Sequence, residues 1–561
     1  MKYIISILFS VILIFGSCTK DFEEMNKSPN NPVDVPAINI FTHVIQESVG
    51  RQLGGWMQHT YVGCWSQQWT KVQYVDEDKY MPRDLSGEMN GPYTGELADL
   101  KIIMDKATED GDDALLGAAL VMKSWVFMYL TDMLGDIVYS EALQGFEADG
   151  DITPAYDAQQ DVYTGILADL AQANTLLGST TVNFGSGDIM YGGDPVQWQK
   201  FCNSLRLRAL NRIAGTPWSF TYDMVDPQSD VSTTAGAAPY ANADADIASI
   251  LSQPMFGSNA DNAKIVYPGL PYRNPIFNTL YTRTDQGIAE TIVEWLKARN
   301  DPRVHVYAQP VPNSYPPVNS TYDSLTYVGF QNGSDEAGAP FPQVSLLGTK
   351  IAYTETSPLY VMTYDEVEFI KAEYYMRTGD ATSAQTHYEN GIKASMARWG
   401  CADGGTVAAS MHTSGGNVDL PVTQDVDYAA YLAQPLVDFG AAANDGERYQ
   451  RICEQKWAAI FGEGIEAWTE VRRTGFPARV FEYELDGAFY PNLGMPVRLT
   501  YPTTEEVYNS ANLADAKSRQ HIEMSNEGIF STSGTTSQLW WNTRKNPIPT
   551  ETDYPAVYYP R

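Results

Sequence analysis

Cys18 is the residue of this chain whose surroundings specify a covalent fate. An apolar run from Ile4 to Phe15 follows Lys2 and leads through Gly16 and Ser17 to the thiol. The run is about 12 residues long against the roughly 20 that span a bilayer. This layout predicts a signal peptide over residues 1–17, cleaved so that Cys18 becomes a lipid-modified N-terminus. Each acyl methylene buried in lipid contributes about 0.8 kcal/mol, so several chains would form a lasting anchor. The polar stretch that follows, with Pro29, Asn30, Asn31 and Pro32, reads as a flexible tether over residues 18–36.

Other residues suited to chemistry fail on spacing. The six histidines, at 43, 59, 305, 387, 412 and 521, form no HExxH or paired metal pattern, and no GxSxG nucleophile elbow occurs. The stretch Gly462-Glu463-Gly464-Ile465-Glu466-Ala467 has dinucleotide-fingerprint spacing. A helical run precedes it, however, and its glutamates would repel a pyrophosphate. Asn242, Asp244 and Asp246 resemble the start of a calcium loop, but Ile247 stands where the turn glycine belongs and Gln253 where the bidentate glutamate belongs. Carboxylates are abundant, yet none is marked as the paired acid of a glycosidase. No catalytic residue, metal site or cofactor is expected. Beyond Cys18, Cys64, Cys202, Cys401 and Cys453 form no CxxC pair, and Cys202 and Cys453 lie in helical patterns as small apolar residues. A Cys64–Cys401 link has no support in their spacing.

Composition narrows the partners. With 69 acidic against 37 basic residues the net charge is −32, which repels nucleic acid and anionic lipid. The 35 tyrosines against 20 phenylalanines favour half-wet surfaces, where a ring can stack while its hydroxyl bonds.

The elements that must carry any such surface are mostly helices. Apolar residues recur at helical spacing at Ile38, Phe41, Ile45, Val49 and Leu53, again from Leu97 to Ala107, and from Leu115 to Leu134. Val162 to Leu177 forms another stripe. Asp194 and Pro195 open a helix through Trp198, Phe201, Leu205, Ala209 and Ile213. Residues 363–399 read as a helical hairpin, with a Thr363–Glu366 capping box, a break at Gly379 and an Asp380 cap. Ala372 with Tyr375, and Ala384 with Tyr388, give the small-then-aromatic spacing of tetratricopeptide helices. Between about residues 216 and 360 the pattern turns loop-rich, with one helix expected over Gln286–Arg299. Tyrosines at 267, 272, 281, 307, 315, 322 and 327 argue for a binding surface there rather than disorder. Residues 403–444 read as a second loop-rich stretch.

The segment RICEQKWAAIFGEGIEAWTEVRRTGFP, from Arg451 to Pro477, resembles the signature of the SusD/RagB family of nutrient-binding surface lipoproteins. LGDIVYSEAL (134–143), PAYDAQQDVYTGILADL (154–170), WQKFCNSLRLRALNRIAG (198–215), MTYDEVEFIKAEYYMRTGD (362–380) and MPVRLTYPTTEEVYN (495–509) extend the likeness over nearly the whole mature chain. Read physically, the signature is structural: Trp457, Phe461, Ile465 and Trp468 should share a core face if Gly462 and Gly464 permit a break. Arg472 and Arg473 should pair with acidic neighbours.

The resemblance implies a mainly α fold, a tetratricopeptide-type scaffold of helical pairs, as a single domain over 37–561 with the loop-rich insert at about 216–360 forming the ligand surface. It implies a lid for a SusC-type TonB-dependent transporter, held on the outer membrane through Cys18 and facing the cell exterior. The expected ligand is a glycan, with an oligopeptide as the alternative in the same mechanism. A surface hydrolase and a ligand-free scaffold are the readings from other classes. Candidate ligand contacts, chosen from the aromatics and not from a family motif, are Trp65, Trp69, Tyr74 and Tyr80 in the first loop and Tyr267, Tyr272, Tyr307 and Tyr327 in the irregular middle.

Overall fold

The computed structural model describes residues 35–54, 56–81, 84–145, 150–216, 219–220, 231–232, 238–311, 326–335, 344–477, 496–522 and 539–541. The signal segment, Cys18, most of the tether, Tyr315 and Tyr322 lie outside the described residues.

Helix α1 (Ala37–Val49) buries Phe41, Val44, Ile45 and Val49, as its apolar stripe requires. Past Val49 the helical path continues. It widens into π-helical turns over Gly50–Gly54 and Met57–Val62. Helix α2 (Glu96–Asp110) buries Leu97, Leu100, Ile103 and Ala107, and closes on Gly111 at φ +68°. There a left-handed C-cap suits glycine. Helix α3 (Asp113–Leu134), capped by Asp112 accepting from Leu115 N, has the length and apolarity of a membrane span. Its residues are nonetheless buried between α2 and α4 (Gln159–Ser179), as befits a core helix. Helix α5 (Pro195–Ile213) packs on α4 and begins with Asp194 accepting from Val196 N at 2.9 Å.

Beyond α5 the paired pattern is interrupted. The expected helix over 286–299 is a strand, Gln286–Ile288, followed by α6 (Glu290–Ala298). That strand pairs antiparallel with Trp69–Lys71, and Ala263–Ile265 pairs with Leu359–Met362. Apolar positions were shared by both elements, so periodicity alone ran them together.

Pairing resumes with α7 (Tyr364–Arg377) and α8 (Ala381–Arg398). Ala372, Ala384 and Tyr388 are buried, and a Cβ on Gly391 would meet the Phe369 ring at 2.9 Å, so the helices interlock by small residue against large. Asp380 accepts from Ser383 N at 3.0 Å as expected. The capping box at Thr363 does not form. Glu366 accepts from Arg208 Nε at 2.7 Å instead, a charge-assisted bond stronger than a cap. The second loop-rich stretch contains a hairpin, Thr406–Thr413 with Gly416–Asp425. Its polar outer face concealed it.

The signature segment forms α9 (Asp445–Ala459) and α10 (Gly464–Thr474), broken at Gly462, where φ is +88°. Trp457, Phe461, Ile465 and Trp468 are all buried. The polar residues between them build an ion lattice where α3, α5, α7, α9 and α10 meet. Arg212 binds Asp132 and Glu466; Arg473 donates to Glu373 at 2.7 Å and to Glu470 at 2.5 Å; Lys456 stands 3.1 Å from Glu470. Arg473 thus pairs with acids as expected, but Arg472 does not. It stacks over Trp468 at 3.5 Å and donates to the carbonyls of Asp132 and Val497, because burial there favours fixed carbonyl dipoles over a further ion pair. The described cysteines 64, 202, 401 and 453 are free thiols, each buried.

Candidate functional site

The irregular turns after α1 decide where an aromatic ring meets solvent. Trp56 sits between the two π-helical segments, where a widened turn displaces a residue from the stripe that a regular helix would bury. The residue is 47% exposed, and its ring meets His59 and Tyr61 edge-on, with centroids 5.5 and 6.4 Å apart. Gly54 fixes its partner segment. A Cβ there would lie 2.2 Å from Pro275 Cγ, so glycine allows the chain around 266–283 to close on the π-helical turn.

Trp56 walls two clefts. The first, of about 380 Å³, is lined by Gln46, Arg51, Tyr267, Tyr272, Arg273 and Asn278 among others. The second, of about 620 Å³, is lined by His59, Lys71, Gln73, Tyr74, Glu77 and Asp285 among others. Tyr272 is 63% and Tyr74 60% exposed, so rings from three segments flank or face the clefts. Tyr281, also exposed, stacks on Phe277 at 4.9 Å, and the Arg273 guanidinium lies 5.4 Å over Phe277. Tyr74 is held at φ +58°, unusual for a bulky residue and of the kind that clusters at binding sites.

Hydrogen-bonding groups at the rims are fixed by their neighbours. Arg51 donates to Glu96 at 2.7 Å, and Arg273 pairs with Glu355 at 2.7 Å. Burial opposes ionisation of Asp285, but the Arg283 fork at 2.7 Å and Lys71 at 3.3 Å outweigh it and hold its carboxyl down to about 2. Tyr267 lines the first cleft with its hydroxyl buried and without a partner among the described residues; burial pushes that phenol well up. Rings with a polar rim can hold a polyhydroxylated ligand without covalent chemistry. Among the described residues no three His, Cys, Asp or Glu side chains converge on a metal-sized site.

Of the eight aromatics chosen from sequence, the structure brings Tyr74, Tyr267 and Tyr272 to these clefts. The other five are packing residues. Trp65 donates to Glu77 O at 3.0 Å and meets Trp468 edge-on at 5.2 Å, Trp69 is fully buried near Phe461, and Tyr80 packs on Trp65. Tyr307 stacks on Phe461 at 4.1 Å and donates to Ala458 O, while Tyr327 bonds His305 at 2.7 Å. Trp65, Trp69 and Tyr307 lie on short helices or a strand rather than in loops, which turns their rings into the core. Trp56 and Arg273 escaped sequence reading. Two consecutive glycines, Gly54-Gly55, are a helix-stop signal, and nothing in the residue pattern announces a π-helical turn.

The arrangement has known relatives in fold. A SusD homologue from Bacteroides fragilis NCTC 9343 is 23% identical, with 91% of this chain and 99% of that chain covered and a TM-score of 0.69. A structure described as a chitin-binding protein is also 23% identical, covering 90% of this chain and all of that one, at a TM-score of 0.67. A SusD homologue from Bacteroides ovatus ATCC 8483 is 22% identical, covering 90% and 98%, at 0.64. No curated protein matches the chain. The sequence profile of the SusD-like family, described as starch-binding and associating with the outer membrane, matches residues 29–227 and 229–502. Most of the chain is thereby accounted for, and the protein belongs to the SusD-like family of nutrient-binding outer-membrane proteins.

Proposed function

We propose that the protein captures an oligosaccharide at the cell surface, without cleaving it, and delivers it as the lid of a SusC-type TonB-dependent transporter, anchored through Cys18. The observation that carries this reading is the group of exposed rings at Trp56, Tyr74 and Tyr272 around two polar-rimmed clefts. Sugar C–H faces pack on such rings while hydroxyls exchange bonds with Asn, Gln and Arg at the rim. The family description and the chitin-binding relative support the ligand class. Much of the acidic and basic side-chain chemistry in the interior is committed to structural ion pairs, which supports binding rather than turnover. The single-domain organisation over 37–561, with its loop-rich insert as ligand surface, belongs to the same proposal.

Purification from native outer membranes in mild detergent, followed by mass spectrometry, tests the partnership. A co-purifying TonB-dependent barrel carrying glycan is expected. A barrel with peptide would move the ligand to the alternative class, and absence of any barrel from a detergent-stable preparation would remove the transport role.

A further inference from the structure

A separate cavity, of about 340 Å³, opens beside the Gly462 break. Pro275 lines the first cleft and its neighbour Ile276 lines this cavity, so the two spaces lie back to back across the short helix Pro275–Leu280. Ile351, Leu359 and Phe461 supply apolar wall, and Tyr360 and Trp399 supply rings.

Part of its polar lining is unmatched, although the Thr354 and Ser357 hydroxyls donate to the carbonyls of Thr349 and Lys350. The Glu463 side chain is 3% exposed, and among the described residues neither of its oxygens accepts a hydrogen bond and its nearest ion pair is a loose one to Arg208 at 3.7 Å. The Arg398 side chain is 1% exposed. Its Nη2 donates to Asp365 at 2.9 Å and to Ala459 O at 2.6 Å, but Nε and Nη1 donate to nothing among the described residues. Trp399 Nε1 is likewise buried and unpartnered. The guanidinium is held over Tyr360 at 4.8 Å and Trp399 at 4.9 Å, which fixes its free edge. Buried polar atoms without partners also occur elsewhere among the described residues, but here five of them gather on one cavity with apolar walls, as in small-molecule sites.

The chemistry of the ligand follows from the mismatch. Donors on Arg398 and Trp399 share the cavity with an acid, so the matching group must both accept and donate, as a hydroxyl does. Asp365 already offsets the charge of Arg398, and Lys350, the other cation on the lining, is exposed and keeps its ammonium in water. Burial, and then the charge of Glu366, drives Glu463 towards its neutral form against the pull of Arg398 and Arg208. A neutral ligand therefore enters at less desolvation cost than an ion. The volume is at the lower end of the roughly 300–1,000 Å³ usual for such pockets. We propose that this cavity binds a single neutral sugar ring, its hydroxyls bridging Glu463 to Arg398 and Trp399. The site is independent of the Trp56 surface and stands whether or not that surface binds glycan.

The test is titration of the purified full chain with glucose, galactose, mannose and N-acetylglucosamine by calorimetry and saturation-transfer NMR. At least one should bind. Trp399→Phe keeps a ring but removes the indole donor, and should weaken that binding about tenfold, the scale of one hydrogen bond. Oligosaccharide binding at the surface should be unchanged in the same variant. Glu463→Gln still donates and accepts and should hold affinity within about threefold, whereas Glu463→Leu should abolish binding; if the leucine variant does not fold, Trp399→Phe carries the test. Trp56→Ala should leave monosaccharide binding intact. The proposal is overturned if none of the four sugars binds, if Trp399→Phe binds as the wild type does, if Trp56→Ala loses the monosaccharide, or if serine binds in preference to every sugar.

Discussion

Removal of the Trp56 ring is the perturbation that separates a stacking platform from an incidental surface aromatic. With 47% of the residue open to solvent, the exposed area is on the order of 100 Å². A sugar face covering all of it would contribute about 2.5 kcal/mol at the usual area coefficient, near 70-fold in Kd. Partial coverage lowers this, so Trp56→Ala should weaken oligosaccharide binding by roughly 10- to 70-fold. Folding should barely change, because the ring meets His59 and Tyr61 only at its edges; a cost of about 1 kcal/mol is expected. The assay is calorimetric titration with starch-derived and chitin-derived oligosaccharides, with urea unfolding of the same preparations. An unchanged Kd in the folded variant would refute the stacking argument. A fall in stability by several kcal/mol would show that the ring is part of the core.

Gly54→Ala should act on the same site from behind, because its new methyl would meet Pro275 and push the Tyr272-bearing segment away; oligosaccharide affinity should drop about tenfold with helix content unchanged by circular dichroism. Arg473→Ala should cost about 3–5 kcal/mol in urea unfolding, since it strands Glu373 and Glu470 in the interior with Lys456 as their remaining close cation. Asp78 supplies a pH signature. Burial raises its carboxyl to about 6 despite bonds from Asn332, Thr70 and Lys71 N. The folded state thus holds this proton more tightly than the unfolded state, so its contribution is fully present below about pH 4 and is lost as pH rises through about 6, at most about 3 kcal/mol. Stability measured from pH 4 to 7 should show a descending component that Asp78→Asn removes; an identical slope in that variant would assign the effect elsewhere.

The scaffold was legible in the sequence where one face of a helix had a single task. The α1, α4 and α5 stripes and the Asp194 and Asp380 caps are set by local spacing, and the structure keeps them. Legibility failed where a residue had a distant competitor. Glu366 gave up its cap to Arg208, and Arg472 gave up an acid for carbonyls, choices made by tertiary packing. The candidate site was half legible. Tyr74 and Tyr272 could be picked as aromatics in irregular chain, but nothing local separates them from Trp69 or Tyr307, which the fold buries completely. Trp56 was hidden by a π-helical turn that leaves no mark in residue type.

Incubation of the purified protein with starch- and chitin-derived oligosaccharides, combining calorimetry with chromatography of the recovered sugar, tests the central claim most directly. At least one neutral oligosaccharide should bind, lose affinity in the Trp56→Ala, Tyr272→Ala double variant, and be recovered at its original length. Failure of every glycan to bind, or recovery of shortened product that a single carboxylate substitution abolishes, would contradict the account.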